Sequence, residues 1–234
     1  MFVNAPLQIL SHLIESLPSK PRKQLLDNCE PTQLVFGTVL QEVNQPIRQV
    51  YFPLSGFISL VTTLRGHPPL EMGLIGNEGV LGASLALGVG LAPLRAVVQG
   101  SGSALRISSS LFRQQIANSP ALLRVLQRYL YVVMVQLSQS AACTHFHEIE
   151  PRLARWLLMT HDRSHANHFH LTHEFLADML GVRRSGVSIA AAALQARGLI
   201  SYRRGQIVVL DRAGLEQAAC ECYGLLLADY QAQF

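Results

Sequence analysis

Apolar residues between positions 8 and 29 recur at helical spacing and are interrupted by Pro18 and Pro21, which predicts two short helices. From residue 32 to residue 107 the pattern changes. Val, Ile, Leu and Phe come in short runs punctuated by Gly37, Pro46, Pro53, Gly56, Gly66, Gly76 and Gly100, as in a compact antiparallel β domain. Residues 50–61 predict a strand, a turn at Ser55-Gly56 and a second strand, and residues 70–75 continue the pattern. The uncharged stretch 79–94 breaks the strand rhythm with small residues. It predicts a short helix and loop inserted between strands, a natural place for a ligand.

Ser108 starts a short helix, and Ser119-Pro120 then supplies an N-cap followed by proline at the first helical position. In the long helix that follows, Leu123, Leu126, Leu130, Val133, Leu137 and Ser140 are spaced as a coiled-coil seam. A second stripe, Leu122, Val125, Tyr129 and Val132, lies beside it. A helix with two apolar faces can cover its own domain with one and pair with a twin through the other, whereas a helix buried in one core would also show both.

Residues 171–190 carry the most specific pattern. Thr172 is placed to cap a helix whose buried face is Phe175, Leu176, Met179 and Leu180, with Ala177 where a second helix passes closely. Gly181 supplies a tight turn, and Val187, Ala190 and Leu194 resume the apolar period. This is a helix-turn-helix, in which the start of the second helix meets base edges in a DNA major groove. Arg183, Arg184 and Ser185 stand there, with Ser188 and Ile189 one turn further on. An arginine can hold guanine O6 and N7 through two parallel hydrogen bonds. Residues 199–211 then predict a two-strand hairpin, a wing, with Arg203 and Arg204 at its tip, suited to the sugar-phosphate backbone. A generic helical hairpin is the plainer alternative.

Composition narrows the choice. The chain carries only 15% charged residues with 49% hydrophobic, so it folds, and its formal net charge is +4. The charge is uneven. Residues 151–205 hold eight Arg against three Asp or Glu, a field that attracts polyanions. Acidic Glu15 and the lack of a basic leader argue against a signal peptide, and the longest uncharged run is too short and too rich in Gly and Pro to span a bilayer. A cytoplasmic location without membrane contact is expected.

No nucleophile elbow, phosphate loop or paired carboxylates appear, so nothing points to an enzyme. His161, His165, His168, His170 and His173 crowd the approach to the helix-turn-helix, in what reads as a loop, and their spacing does not suit a metal. Cys29, Cys143, Cys220 and Cys222 form no Cys-x-x-Cys pair and are expected to be free thiols. Cys220 and Cys222, as helical neighbours two apart, would not share a face, and no metal site is expected.

Gly37-Thr-Val-Leu, residues 50–56, Gly76-Asn-Glu-Gly, the long helix, residues 151–158 and the winged motif together resemble the cyclic-AMP receptor protein and fumarate-nitrate reduction regulators, the Crp/Fnr family. The resemblance spans almost the whole chain. It implies an α+β fold: an N-terminal β-roll (a double-stranded β-helix like that of cyclic-nucleotide-binding domains) over 1–118, a dimerisation helix over 119–142, and a C-terminal winged helix-turn-helix over 143–234.

It also implies a homodimeric transcription regulator that binds a double-stranded DNA operator, works with RNA polymerase and reads bases through Arg184, Ser185 and Ile189. Arg95 matches the family's phosphate-binding arginine, but Ala96 follows it, and Gly82-Ala83-Ser84 stands where a ribose-binding glutamate belongs. These four, Arg95, Gly82, Ala83 and Ser84, are the candidate effector residues. Another nucleotide, or no ligand, is expected in place of cyclic AMP. No iron-sulfur cluster is expected, because only Cys29 lies near the N-terminus. The alternative function is a cytoplasmic small-molecule or metal sensor that acts through a protein partner.

Overall fold

The computed structural model describes residues 11–164 and 168–234. Helices α1 (His12–Glu15) and α2 (Ser19–Leu26) come first, with Pro21 in the first turn of α2, where its missing N–H costs no helical hydrogen bond. The start of the expected first helix, before Ser11, lies outside the described residues.

The β domain contains β1 (Glu30–Leu34), β2 (Val39–Gln41), β3 (Gln49–Pro53), β4 (Phe57–Thr62), β5 (Leu70–Ile75), β6 (Arg95–Gly100) and β7 (Gly102–Ser108). They form two antiparallel sheets, ordered β1-β7-β3 and β2-β6-β4-β5. Leu34, Tyr51 and Ala104 of the first sheet meet Ile58, Ile75, Ala96 and Val98 of the second. The alternate residues Val50, Phe52, Leu105 and Ile107 turn outward into another core. A sheet covered on both faces calls for a continuous apolar run, which is why β3 is buried over four consecutive residues. At the β3–β4 turn Gly56 has φ 73°, and a Cβ there would sit 2.3 Å from the carbonyl oxygen of Gly100. The expected insertion contains a 3-10 helix, Ala83–Leu87.

Helix α3 (Ser109–Asn118) is capped by Ser108 and α4 (Pro120–Phe146) by Ser119, whose hydroxyl accepts from Leu122 N at 3.2 Å. Helix α4 runs past the expected end at 142, to Phe146. Leu122, Val125 and Tyr129 of its second stripe pack on the β domain of its own chain, as does Leu126, which is 0% exposed, and Val132 is buried one turn further on. Heptad spacing puts Leu126 on the outer seam. It falls instead in the middle of an i, i+3, i+4, i+7 stripe that faces inward. The outer face is left to Leu123, Leu130, Met134 and Leu137, with Met134 59% exposed. Leu130 and Val133 also pack partly against the inner core.

The C-terminal part comprises α5 (Ile149–Ser164), β8 (His168–His170), α6 (His173–Leu180), α7 (Arg184–Ala196), β9 (Ile200–Arg203), β10 (Gln206–Val209), α8 (Arg212–Ala218) and α9 (Cys222–Gln233). Residues 168–170 read as loop from the sequence, but they pair antiparallel with β10, so the wing sheet has three strands, β8-β10-β9. Three residues are too few to show alternation. Phe169 points into the core.

That core joins Leu153, Trp156, Leu157, Leu176, Val187, Leu194 and Ile207 to Phe57 and Leu74 from the β domain. Polar contacts pin the same junction. Trp156 Nε1 donates to Glu71 Oε1 at 2.8 Å, Ser59 Oγ donates to Glu71 Oε2 at 2.6 Å, and Arg163 pairs with Glu78 at 2.7 Å. Among the described residues no helix is long and apolar enough to cross a membrane.

Burial raises the Glu71 carboxyl to about 7, outweighing the donors Ser59 and Trp156 and the charges of Arg155 and Arg163. A carboxyl raised on folding stabilises the fold fully below its unfolded value, and that contribution is lost as pH rises through about 7. Glu71→Gln keeps a partner for both contacts, since its amide oxygen can accept from Trp156 and its NH2 group can donate to the Ser59 hydroxyl. Its stability relative to wild type should therefore increase between about pH 5.5 and about pH 8.5 in urea denaturation. A difference that does not change with pH would remove Glu71 as the titrating group.

Candidate nucleic-acid interface

The Thr172 hydroxyl accepts from Phe175 N at 3.1 Å and so starts α6, a cap worth about 1 kcal/mol. Gly181 ends it at φ 64°, ψ 41°, and Val182 N returns to Ala177 O at 3.0 Å. A Cβ at Gly181 would lie 2.8 Å from Leu70 Cδ1, so the residue serves both the turn and the packing of the turn on β5. Helix α7 buries Val187, Ala190, Ala191 and Leu194. It leaves Arg184, Ser185 and Ile189 exposed at its start, preceded by exposed Arg183 at the N-cap. Unpaired backbone N–H groups and two guanidinium groups share this end, a combination that favours an anion.

The wing tip is a two-residue loop in which Arg204 has φ 51° and Gly205 φ 80°. Positive φ at both positions is the type I′ turn, whose twist matches that of the flanking strands. Arg203 and Arg204 are exposed there. Arg184 and Arg204 line one shallow cleft of 480 Å³ together with Thr172, Glu174 and Tyr202. The cleft therefore has a basic group on each wall. Arg184 lies 3.8 Å from Glu174, an exposed pair too weak to hold the arginine against a phosphate or base.

Ser188 has a different position from the exposed set. It is half-buried, its hydroxyl donates to Arg184 O at 3.1 Å and lies 2.8 Å from His173 Nδ1, and the His173 ring stacks on Tyr202 with centroids 4.2 Å apart. Burial, aided by the charge of Arg184, lowers the His173 pKa, so the neutral ring is favoured at this joint between α6, α7 and the wing. Of the other crowded histidines, His161 Nδ1 lies 2.7 Å from Arg212 Nη1, and His165 is outside the described residues.

The candidate effector residues divide. Ala83 is buried in the core that contains Phe52 and Val125, and Gly82 adopts φ 104° close to Val50. Arg95 begins β6 with its side chain 43% exposed and pairs with Glu42 at 3.2 Å. Glu71 and Glu78, the acidic residues that flank the insertion, are occupied by Trp156 and Arg163.

One grouping escaped the sequence. Cys220 is not helical: α8 stops at Ala218 and α9 starts at Cys222, so the chain turns between them and carries both sulfurs to Cys143 and His147 at the end of α4. The objection that 220 and 222 cannot share a helix face therefore falls. The Cys143-x-x-x-His147 spacing, one helical turn, was the available signal, but nothing local linked it to residues more than 70 positions away.

Residues 151–218 match the model of the Crp-like helix-turn-helix domain. No curated protein sequence matches the chain. Among solved structures, FixK2 from Bradyrhizobium japonicum superposes with a TM-score of 0.69 at 17% identity, covering 82% of this chain and 98% of that one. The c-di-GMP responsive global regulator CLP of Xanthomonas campestris gives 0.66 at 17%, covering 82% and 99%. A CRP/FNR family transcriptional regulator from Thermus thermophilus gives 0.66 at 21%, covering 81% and 98%. Residues 151–218 thus carry a Crp-like helix-turn-helix domain, and the chain shares its fold with FixK2 and the Thermus thermophilus regulator.

Proposed function

We propose that this chain is a sequence-specific DNA-binding transcription regulator, acting as a homodimer on a double-stranded operator with RNA polymerase as its protein partner. The observation that carries the proposal is the basic cleft: Arg184 at the open start of α7 faces Arg204 on the wing across one concavity. Arg183, Arg184, Ser185 and Ile189 are assigned to base edges and Arg203 and Arg204 to phosphates. Ser188 sets the register of α7 against α6.

The partner copy is assigned to the outer face of α4, where Leu123, Leu130, Met134 and Leu137 fall at coiled-coil spacing, with Gln127 filling the gap after Leu123 and Ala141 following Leu137. Two such chains would place two α7 helices on half-sites about one helical turn of DNA apart. Effector reception is assigned to the β domain at Arg95, whose exposed pairing with Glu42 an anionic ligand can displace. Buried Ala83 offers no carboxylate to a ribose, so cyclic AMP is expected to change DNA affinity by less than about tenfold, or about 1.4 kcal/mol of coupling.

Two variants separate reading from positioning. Arg184→Ala should cost about 1–3 kcal/mol on a site selected from random DNA and relax preference at one base pair, whereas Arg204→Ala should weaken all sequences alike. Fluorescence anisotropy on selected and scrambled duplexes measures both, and equal losses on both duplexes for both variants would refute the division. For the dimer, Met134→Glu with Leu137→Glu introduces charge where the single chain is open and should yield folded monomers in sedimentation velocity. A variant still dimeric at micromolar concentration would move the interface off α4.

A further inference from the structure

At the junction of α4 with the C-terminal helices, four potential ligand atoms converge: Sγ of Cys143, Cys220 and Cys222 and a ring nitrogen of His147, all within 4.8 Å of one another. We propose that these residues form a tetrahedral site for a divalent metal of the zinc class, which fastens the end of α4 to the turn between α8 and α9.

The geometry favours a metal over three unrelated thiols. Tetrahedral zinc with Zn–S of about 2.3 Å and Zn–N of about 2.05 Å sets S···S edges of about 3.8 Å and S···N edges of about 3.5 Å. The Cys143 and Cys220 sulfurs are 3.6 Å apart, and Cys222 Sγ is 3.5 Å from His147 Nδ1. Two edges thus already have the required length, and the longest separation needs a contraction of about 1 Å. The three cysteines are buried from solvent, as in closed structural sites.

The surroundings match as well. His147 turns Nδ1 toward the sulfurs while Nε2 lies 3.2 Å from the Glu221 carboxylate, the outer partner that fixes ring orientation and tautomer in metal-bound histidines. Gln139 Nε2 donates to Cys222 Sγ at 3.0 Å. Three thiolates, a neutral imidazole and a divalent ion sum to one negative charge, and buried Arg152 and the charge of Arg155 act on the cysteines. Among the described residues Arg155 Nε and Nη1 are buried without a hydrogen-bond partner, so this cation gains from an added anion nearby. On binding, the ion replaces the thiol protons of Cys143, Cys220 and Cys222, which pass to the buffer, and His147 contributes the Nδ1 lone pair while Nε2–H is held by Glu221.

The test uses the full chain purified in mild reductant, freed of metal with a chelator, and titrated with cobalt(II) and then zinc. Expected are one ion per protomer by native mass spectrometry, the intense visible bands of tetrahedral cobalt with thiolate charge transfer, and a melting temperature higher by on the order of 5 °C with zinc. Cys143→Ser and Cys222→Ser should each weaken binding at least tenfold, with Cys29→Ser unchanged. Because Cys143 is fully buried, Glu221→Gln provides a variant with every ligand intact. It should weaken zinc by roughly tenfold without loss of fold. No tetrahedral cobalt spectrum from the reduced chain, an unchanged spectrum in a folded Cys143→Ser/Cys220→Ser variant, or a Cys143–Cys220 disulfide that persists in reductant and blocks uptake would each overturn the proposal.

Discussion

The seating of α5 on the β domain governs how the rest of the molecule is arranged. Trp156 lies in the core of the helix-turn-helix yet gives its N–H to Glu71 on β5, and Ser59 of β4 holds the other oxygen of the same carboxylate. About two turns further along α5, Arg163 meets Glu78 where both side chains are mostly buried, and Tyr230 of α9 donates to the Glu78 carbonyl. Removing one member of such a buried set leaves the others desolvated without a partner, so the junction is costly to break at any single point. Because α7 packs on α5, the direction in which Arg184 projects is tied through Trp156 to β5. An event in the β roll that moves β5 therefore has a mechanical route to the basic cleft.

What was legible in the sequence was whatever local stereochemistry dictates. Thr172, Gly181 and the apolar spacing around them defined the two helices and their turn, and Ser119-Pro120 marked the start of α4, because caps and left-handed turns are satisfied within a few residues. Contacts between distant segments were hidden. Strand β8 exists because β10 offers it backbone partners, and Phe169 alone carried too little pattern to reveal it. Leu126 fits a heptad as well as it fits an inward stripe, and only the position of the β domain decides between them. Arg95 meets Glu42 just past the end of the neighbouring strand β2, a pairing of distant segments that no local pattern announces.

The thiol cluster shows the same limit more sharply. Cys143 and His147 stand one turn apart at the end of one helix, whereas Cys220 lies in the turn before another and Cys222 opens it. Each pair alone is an ordinary occurrence. Their meeting depends on α9 lying along α4, a long-range contact between helices that no motif announces.

Helix α4 has a further consequence through its length. Its 27 residues make an almost rigid rod of about 40 Å, with the β domain along one end and the winged domain at the other. Rods convert angle into distance: a tilt of roughly 5° at one end carries the other through about 3.5 Å, close to the roughly 3.4 Å step between successive base pairs. On the proposed reading of the chain as a DNA-bound homodimer, a tilt of that size would shift the paired α7 helices by about one base-pair step along the double helix.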